Sequence, residues 1–461
     1  MVMPDGKSPV RPSAQNPTAQ DAAVSEHGAH SYPRDLAEAV HGRCQEVLLG
    51  TAIHLTLPAP AQLEEVLSVC YQASLLREEG RPVTFRVALA GPEAFPPAGG
   101  PPAGLHRLVF ADSRPFDQHE LRRLAPAAVF SRTLMGATID RGRGPRIWGL
   151  IHSGAHWLQS VRGGRETQQA IPPVLIIAVS GPGRMLVSVG AITIAELTNG
   201  TLISRGMDVF QAMWLEDSFA TVGGIDPDTP MEESRPVAPS ATIDVRFGAV
   251  LACHMLRRVF ATVRGAQHGG MLIIVPERVA NEVLTDGRHI RVKYPFVDEE
   301  PRRRLRTLTA EILKGLAAAH RGPSEGPVVG WHQYEMSDAS EVSKGDAALF
   351  EAAHLVADLT HVDGAVVMTT GLDLLGFGGE IAGDLPEVPR VMRARDLEGV
   401  DREWVRTDRV GTRHRSAYRL CHVWRDALAV VVSQDGGLRF IRWHNDAVTY
   451  WEQVATAPWE V

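Results

Sequence analysis

Long hydrophobic runs are missing from this sequence. No apolar stretch approaches the ~20 residues that a membrane-spanning helix requires, and the first residues lack the apolar core of a signal peptide. A cytoplasmic protein with no membrane partner is therefore expected. Cysteine is also scarce. Cys44, Cys70, Cys253 and Cys421 are scattered and form no CxxC pair, which argues for a reduced environment and against a disulfide scaffold. Positive charge is not in excess. The formal net charge is −7, whereas a dedicated nucleic-acid binder carries a basic domain or stripe, so no nucleic-acid partner is expected. The run Arg302-Arg303-Arg304 has acids beside it at Asp298, Glu299 and Glu300 and reads as a solvated helix end.

What is present is ordinary globular material, 44% hydrophobic and 22% charged over 461 residues, enough for about three domains at roughly 150 residues each. Residues 1–33 are rich in Pro, Ser, Ala, Gln and Asp and read as a disordered tail. An α+β region is expected over 34–222. Leu63, Val66, Leu67 and Cys70 share one side of a helix over 60–79, which Gly80 can end in a left-handed conformation. Val83, Phe85, Val87 and Leu89 alternate with Thr84, Arg86 and Ala88 as in a half-buried strand. Asp117 with Glu120 is a capping-box signature. From Arg146 to Arg205 strands follow one another without helices, and Asn199-Gly200 is a strong hairpin turn. Residues 223–240 contain four prolines and several acids, the best linker candidate. Over 241–461 helices and strands alternate: helices over 246–264, from Pro301 and over 346–359, and strands over Met271–Val275 and Val362–Met368. That pattern predicts an α/β sheet with flanking helices.

Two short motifs carry the chemistry. Gly411-Thr412-Arg413-His414-Arg415 precedes a helical stretch in which Ala417, Leu420, Cys421 and Trp424 share a face. A loop entering a helix offers free N–H groups and the positive end of the dipole, and two arginines around a histidine add donors suited to a triphosphate. A surface basic cluster with no specific role is the bland alternative. Asp363-Gly364-Ala365 opens an apolar strand. A carboxylate at a strand end can hold Mg²⁺ or accept a hydroxyl proton, and the glycine admits a close ligand; an ordinary Asp-Gly turn is the alternative.

In this order and on this scaffold, the two motifs resemble the diadenylate cyclase domain family, whose hallmarks are a DGA motif and a GTRHR motif. The likeness covers about 241–450 and is clearest over 345–443, where the strand Ala427–Ser433 follows the motif helix. The resemblance implies a mixed α/β sheet domain in which each subunit binds one ATP and two subunits face each other, so at least a homodimer is implied. Each 3′-hydroxyl attacks the α-phosphate of the other ATP, releasing pyrophosphate and forming cyclic di-AMP, with Mg²⁺ or Mn²⁺ required. Asp363 would then be catalytic and near the metal. Gly364, Ala365, Gly411, Thr412, Arg413, His414, Arg415 and Ser433 would bind substrate, and Asp435 would be a second metal ligand. The chain departs from the family at Gln434, where a glutamate usually follows the serine, at His361-Val362, and in a charged, proline-bearing insertion over 384–407. The region before the linker resembles the sensor modules that precede some such domains, through Arg146–Leu150 and Val179–Gly183.

Two other functions stay open: a catalytically weakened nucleotide-binding sensor module, and a nucleotidyltransferase making another cyclic dinucleotide. Gly376-Phe377-Gly378-Gly379 reads as a tight turn. His152 and His156 have i, i+4 spacing but no glutamate after the first, so a metal role is not expected there. Cys253-His254 and Cys421-His422 read as core packing.

Overall fold

The computed structural model describes residues 30–48, 55–96, 99–101, 104–140, 142–154, 157, 171–203, 207–222, 241–266, 268–320, 328–433 and 436–453. Most of the expected tail, the linker over 223–240, His156, Gln434 and Asp435 lie outside them.

Helices α1 (Pro33–Leu48) and α2 (Pro60–Ser74) come first. The helix expected to run to 79 stops at Ser74, because β1 (Arg77–Glu78) and β2 (Arg81–Pro82) form a hairpin. Glu79 (φ 50°) and Gly80 (φ 80°) make its turn, so Gly80 turns a hairpin instead of capping a helix. Next come β3 (Phe85–Leu89), β4 (His106–Pro115), α3 (Gln118–Leu124), β5 (Thr133–Asp140) and β6 (Gly144–His152). The run ends with β7 (Leu175–Gly181), β8 (Arg184–Val189), β9 (Ile192–Thr198) and β10 (Thr201–Ile203). Their eight-stranded sheet has the order β10-β9-β8-β7-β3-β5-β6-β4. β3 and β5 run parallel, and the other neighbours are antiparallel.

The helices cover one face, where Leu63, Val66 and Cys70 meet Phe85, Val87 and Ile177. Ala88, Trp148, Phe95 and Trp157 form a separate cluster. The central strand is therefore buried on both faces rather than half-buried; even Arg86 is fully enclosed, its guanidinium over the Phe130 ring. Asp117 caps α3 by accepting from the His119 and Glu120 amides. Glu120 does not complete the capping box; its carboxylate pairs with Arg114 at 2.9 Å. Asn199 (φ 52°) and Gly200 (φ 75°) form the expected β9–β10 turn.

The second unit contains α4 (Met213–Asp217), α5 (Phe247–Gly265), β11 (Gly270–Val275), α6 (Ala280–Thr285) and β12 (Ile290–Pro295). It continues with α7 (Glu299–Ala319), α8 (Trp331–Met336), α9 (Ser340–Leu359), β13 (Ala365–Thr369) and β14 (Leu374–Ile381). It closes with β15 (Arg390–Ala394), β16 (Arg402–Arg406), α10 (Thr412–Val423), β17 (Leu428–Val432), β18 (Leu438–His444) and β19 (Ala447–Gln453). The nine-stranded sheet runs β12-β14-β13-β11-β17-β18-β19-β15-β16. β11 lies parallel to β13 and antiparallel to β17. Its alternate residues serve two cores: Leu272 and Ile274 pack with α5, α7 and α9, while Met271 and Ile273 pack with α10. A central strand covered on both faces needs such an unbroken apolar run. The architecture is thus mixed α/β, a β-rich first unit followed by a sheet with flanking helices.

Two expectations shift. Residues 207–222, placed before the linker, pack into the second core through Trp214, Leu215 and Phe219. Trp214 stacks on Trp451 at 4.5 Å between ring centroids, and the Gln453 side chain accepts from the Val209 amide at 2.6 Å. The hydrophobic boundary therefore falls ahead of residue 207. Gly376–Gly379 is not a tight turn: it lies within β14, where Gly376 and Gly378 have positive φ.

Candidate functional site

The register brings both motifs to one edge of the second sheet. β11 and β13 start at that edge and β17 ends there, with Gly270 opposite Val432 and Leu272 opposite Val366. Continued outward, this register sets Gly269 between Asp363 and Ser433. With strands about 4.8 Å apart, Asp363 and Ser433 lie roughly 10 Å from each other. α10 covers the face carrying Met271, Ala365 and Val431, so its N-terminus opens over the same corner.

Arg413 fills the gap between them. One of its guanidinium nitrogens lies 2.2 Å from where a Cβ on Gly269 would stand; the missing side chain is the space that Arg413 occupies. Gly269 thus belongs to the site, although nothing in its local sequence advertised it. Gly364 has a similar role toward the next strand. Its φ is 114°, and a Cβ there would meet the Gly378 carbonyl carbon at 2.6 Å. The expected close approach at Gly364 is one of backbone to backbone, made possible by the glycines of β14. Ala365 is buried in the sheet, where it packs in the core; Asp363 is exposed.

At the helix entrance Gly411 is the N-cap and offers no capping side chain. The first-turn amides keep the anion-binding character of an uncapped helix start. Thr412, Arg413 and Arg415 are exposed and His414 is partly so. On the far side of β14, Lys293 of β12 has its pKa raised chiefly by its 2.6 Å pair to Glu380, with Asp363 a minor contributor.

Gly411, His414 and Ser433 also line a cleft of about 830 Å³, large enough for a nucleotide. Its walls come from unexpected places. The insertion over 384–407 builds the β15–β16 hairpin, which extends the sheet by pairing β15 parallel to β19. Arg393, Arg395 and Glu403 of that hairpin face the cleft. The hairpin is held by bonds within its turn, across its base and to α4. Asp396 accepts from the Val400 amide at 3.0 Å, Glu398 accepts from the Met213 amide at 2.9 Å, and Thr407 donates to the Val388 carbonyl at 2.6 Å. The floor carries Arg439, which pairs with Glu452 at 2.7 Å and lies over the Tyr450 ring. Burial and the nearby Glu452 push the Tyr450 hydroxyl up to about 12, so it stays a neutral donor. The opposite wall belongs to the first sheet, through Arg184, Glu196, Thr198 and Asn199.

Not every motif residue faces the cleft. Asp363, Gly364 and Arg413 stand beside it at the β11–β13 edge. Among the described residues no group of three or more His, Cys, Asp or Glu is arranged to hold a metal ion. Asp363 is thus one carboxylate at a strand end, which suits an ion that draws its other ligands from phosphates and water. His152 is engaged by the Thr133 hydroxyl at 2.9 Å, and all four cysteines are buried thiols. No described helix is long and apolar enough to cross a membrane.

A family described as "Probable sensor domain DACNV" matches residues 54–152, so that part of the first unit, from α2 through β6, is similar to it. The match does not reach the second sheet. No curated protein matches the chain, and no solved structure does.

Proposed function

We propose that the second unit is a diadenylate cyclase that condenses two ATP molecules into cyclic di-AMP with release of pyrophosphate, under the control of the first unit. The observation that carries this is the convergence of Asp363, Arg413 and Ser433 on one sheet edge beneath an uncapped helix start. Phosphoryl-type transfer needs chiefly positioning and neutralised charge. Arg413, braced over Gly269, and the amides of Thr412 and Arg413 supply donors for the phosphates. Arg415 adds a further cation within the first turns of the same helix. Asp363 stands where it can accept the proton of a 3′-hydroxyl. Mg²⁺ or Mn²⁺, held by Asp363, would supply further charge neutralisation; Asp435 is the second candidate ligand. Two sites must face each other for two ATP molecules to react, so the active species is at least a homodimer. The sensor-family match upstream supports control by the first unit.

A second function is favoured by one observation: the first sheet and the β15–β16 hairpin both wall the cleft at Ser433. A domain that holds ATP there and reports it to the first sheet would be a nucleotide-binding module. The full chain, incubated with ATP and Mn²⁺ or Mg²⁺, separates the two when the product is identified by mass spectrometry. Cyclic di-AMP is expected. Normal ATP binding without product would end the cyclase proposal, and competition by GTP or CTP would indicate another cyclic dinucleotide.

A further inference from the structure

Among the described residues that line the cleft, arginines outnumber acids. Six arginines line it, namely Arg184, Arg264, Arg393, Arg395, Arg409 and Arg439, against the glutamates Glu196, Glu403 and Glu452. Two of these acids are already engaged. Glu403 pairs with Arg393 and Arg395, and Glu452 bridges Arg393 at 2.9 Å and Arg439 at 2.7 Å. Glu196 is buried and accepts from Thr198. Arg264, near the C-terminus of α5, and Arg409, just before the α10 entrance, form no ion pair among the described residues. Arg184 enters from β8 of the other sheet, with its guanidinium 3.6 Å from where a Cβ on Gly436 would stand, in the turn that follows Ser433. Cations of two separate sheets therefore converge on one space beside an uncapped helix start.

We infer that this cleft binds a polyphosphate anion, and that Arg184 makes the first unit part of the binding site. Arg264 and Arg409 would take the phosphates from the second unit and Arg184 from the first, so the ligand itself joins the two. Guanidinium groups suit this role because they stay charged and bind phosphate oxygens in pairs. The inference deepens the nucleotide proposal and rests on it for the nucleoside end of the ligand; the phosphate chemistry stands on the cleft.

The test is titration calorimetry on the full chain with inorganic tripolyphosphate, ATP and AMP as probes. Tripolyphosphate and ATP should both bind, with AMP at least about ten-fold weaker because one phosphate cannot engage both walls. Arg184→Ala, Arg264→Ala and Arg409→Ala should each weaken tripolyphosphate binding about five- to ten-fold, the loss of one charge-assisted contact, and Arg184→Lys should restore part of it. An unchanged melting temperature for each variant without ligand shows that the fold is kept. The inference is overturned if tripolyphosphate fails to bind, if AMP binds as well as ATP, or if Arg184→Ala leaves affinity unchanged while Arg409→Ala lowers it. Intact binding with no cyclic dinucleotide would sink the cyclase proposal and leave this one standing. Normal turnover with Arg184→Ala and undiminished affinity would do the reverse.

Discussion

The two sheets handle their polar groups in opposite ways. In the first, polar side chains within the sheet are tied into the fabric. Arg86 is sealed under Phe130, His152 is held by Thr133, and the Trp148 indole donates to the Ala90 carbonyl at 2.8 Å. In the second, the central strands β11, β13 and β17 carry no charge and a single polar side chain, Thr369, the buried Arg258 is paired with Asp346 in the helical layer, and Asp363 and Arg413 stand exposed at one edge. A sheet that buries its polar groups is built to hold a shape. One that gathers them at a strand edge under a helix N-terminus is built to meet a charged ligand. The sensor-family match falls on the first, and the paired motifs fall on the second.

The sharpest way to break the comparison is to change one titratable side chain in each unit. Asp363→Asn should lower cyclic di-AMP formation by about 10²- to 10⁴-fold, the usual contribution of a positioned base, while ATP affinity measured by calorimetry stays within about three-fold. His152→Gln should leave turnover within about two-fold. Equal, small effects from both would mean that the edge is no more functional than the first sheet.

Next in size is the backbone contact on which the edge depends. Gly364→Ala places a methyl group against the β14 backbone at a positive φ, where neither partner is a flexible side chain that could swing away. A cost of about 2–4 kcal/mol in denaturant unfolding is expected, combining strain and displaced backbone. A loss below about 0.5 kcal/mol would show that the β13–β14 register is looser than its glycines imply.

Gly269→Ala should behave differently, because its closest contact is the mobile end of Arg413 and the nearest backbone atom, the Val432 carbonyl oxygen, is 3.0 Å away. The guanidinium can swing away, so stability should change by less than about 1 kcal/mol. ATP affinity should fall about ten-fold, as expected for a lost charged contact. Arg413→Ala should give the same loss, and the double variant should lose no more than either alone. Additive losses would separate Gly269 from the site.

Much of the centre of the second sheet was legible in the sequence because its strands are short and almost wholly apolar. Met271–Val275 and Ala427–Ser433 stand within a residue or two of β11 and β17. The motif residues stood out for another reason: Asp363 heads an apolar strand, and Arg413 and Arg415 flank a histidine where a loop enters a helix. The glycines misled. Gly80 looks like a helix stop and Gly376–Gly379 like a turn, yet their roles depend on which strand lies next to them, and a lone sequence carries no record of that. The 207–222 segment was missed for a related reason. Its Trp214 and Phe219 are apolar enough to join either core, and only the partner Trp451, over two hundred positions away, decides between them. The cleft was the least legible part, since its arginines come from five stretches of chain that show no common spacing.

The smallest effect tests the core of the second unit rather than its edge. His254 lies in α5, stacked on Trp331 at 3.8 Å between ring centroids, and its Nδ1 is buried with no hydrogen-bond partner. Burial, followed by the neighbouring Arg257 and Arg258, lowers its pKa to about 3. In the unfolded chain the same imidazole titrates near 6.5. Between these values the unfolded state binds a proton that the folded state refuses. Stability is therefore unaffected above about pH 7, falls as the pH drops through 6.5, and levels off near 3. The expected loss by pH 5 is about 1–2 kcal/mol. His152 and His444, also lowered by burial, push in the same direction, so the measurement is a difference. The drop in unfolding free energy from pH 7 to pH 5 should be smaller by that amount in His254→Phe, whose ring can keep the stack without taking up a proton. If the variant loses as much as the wild type, His254 is protonated inside the folded chain, and the core of the second unit is open to charge in the way its edge is.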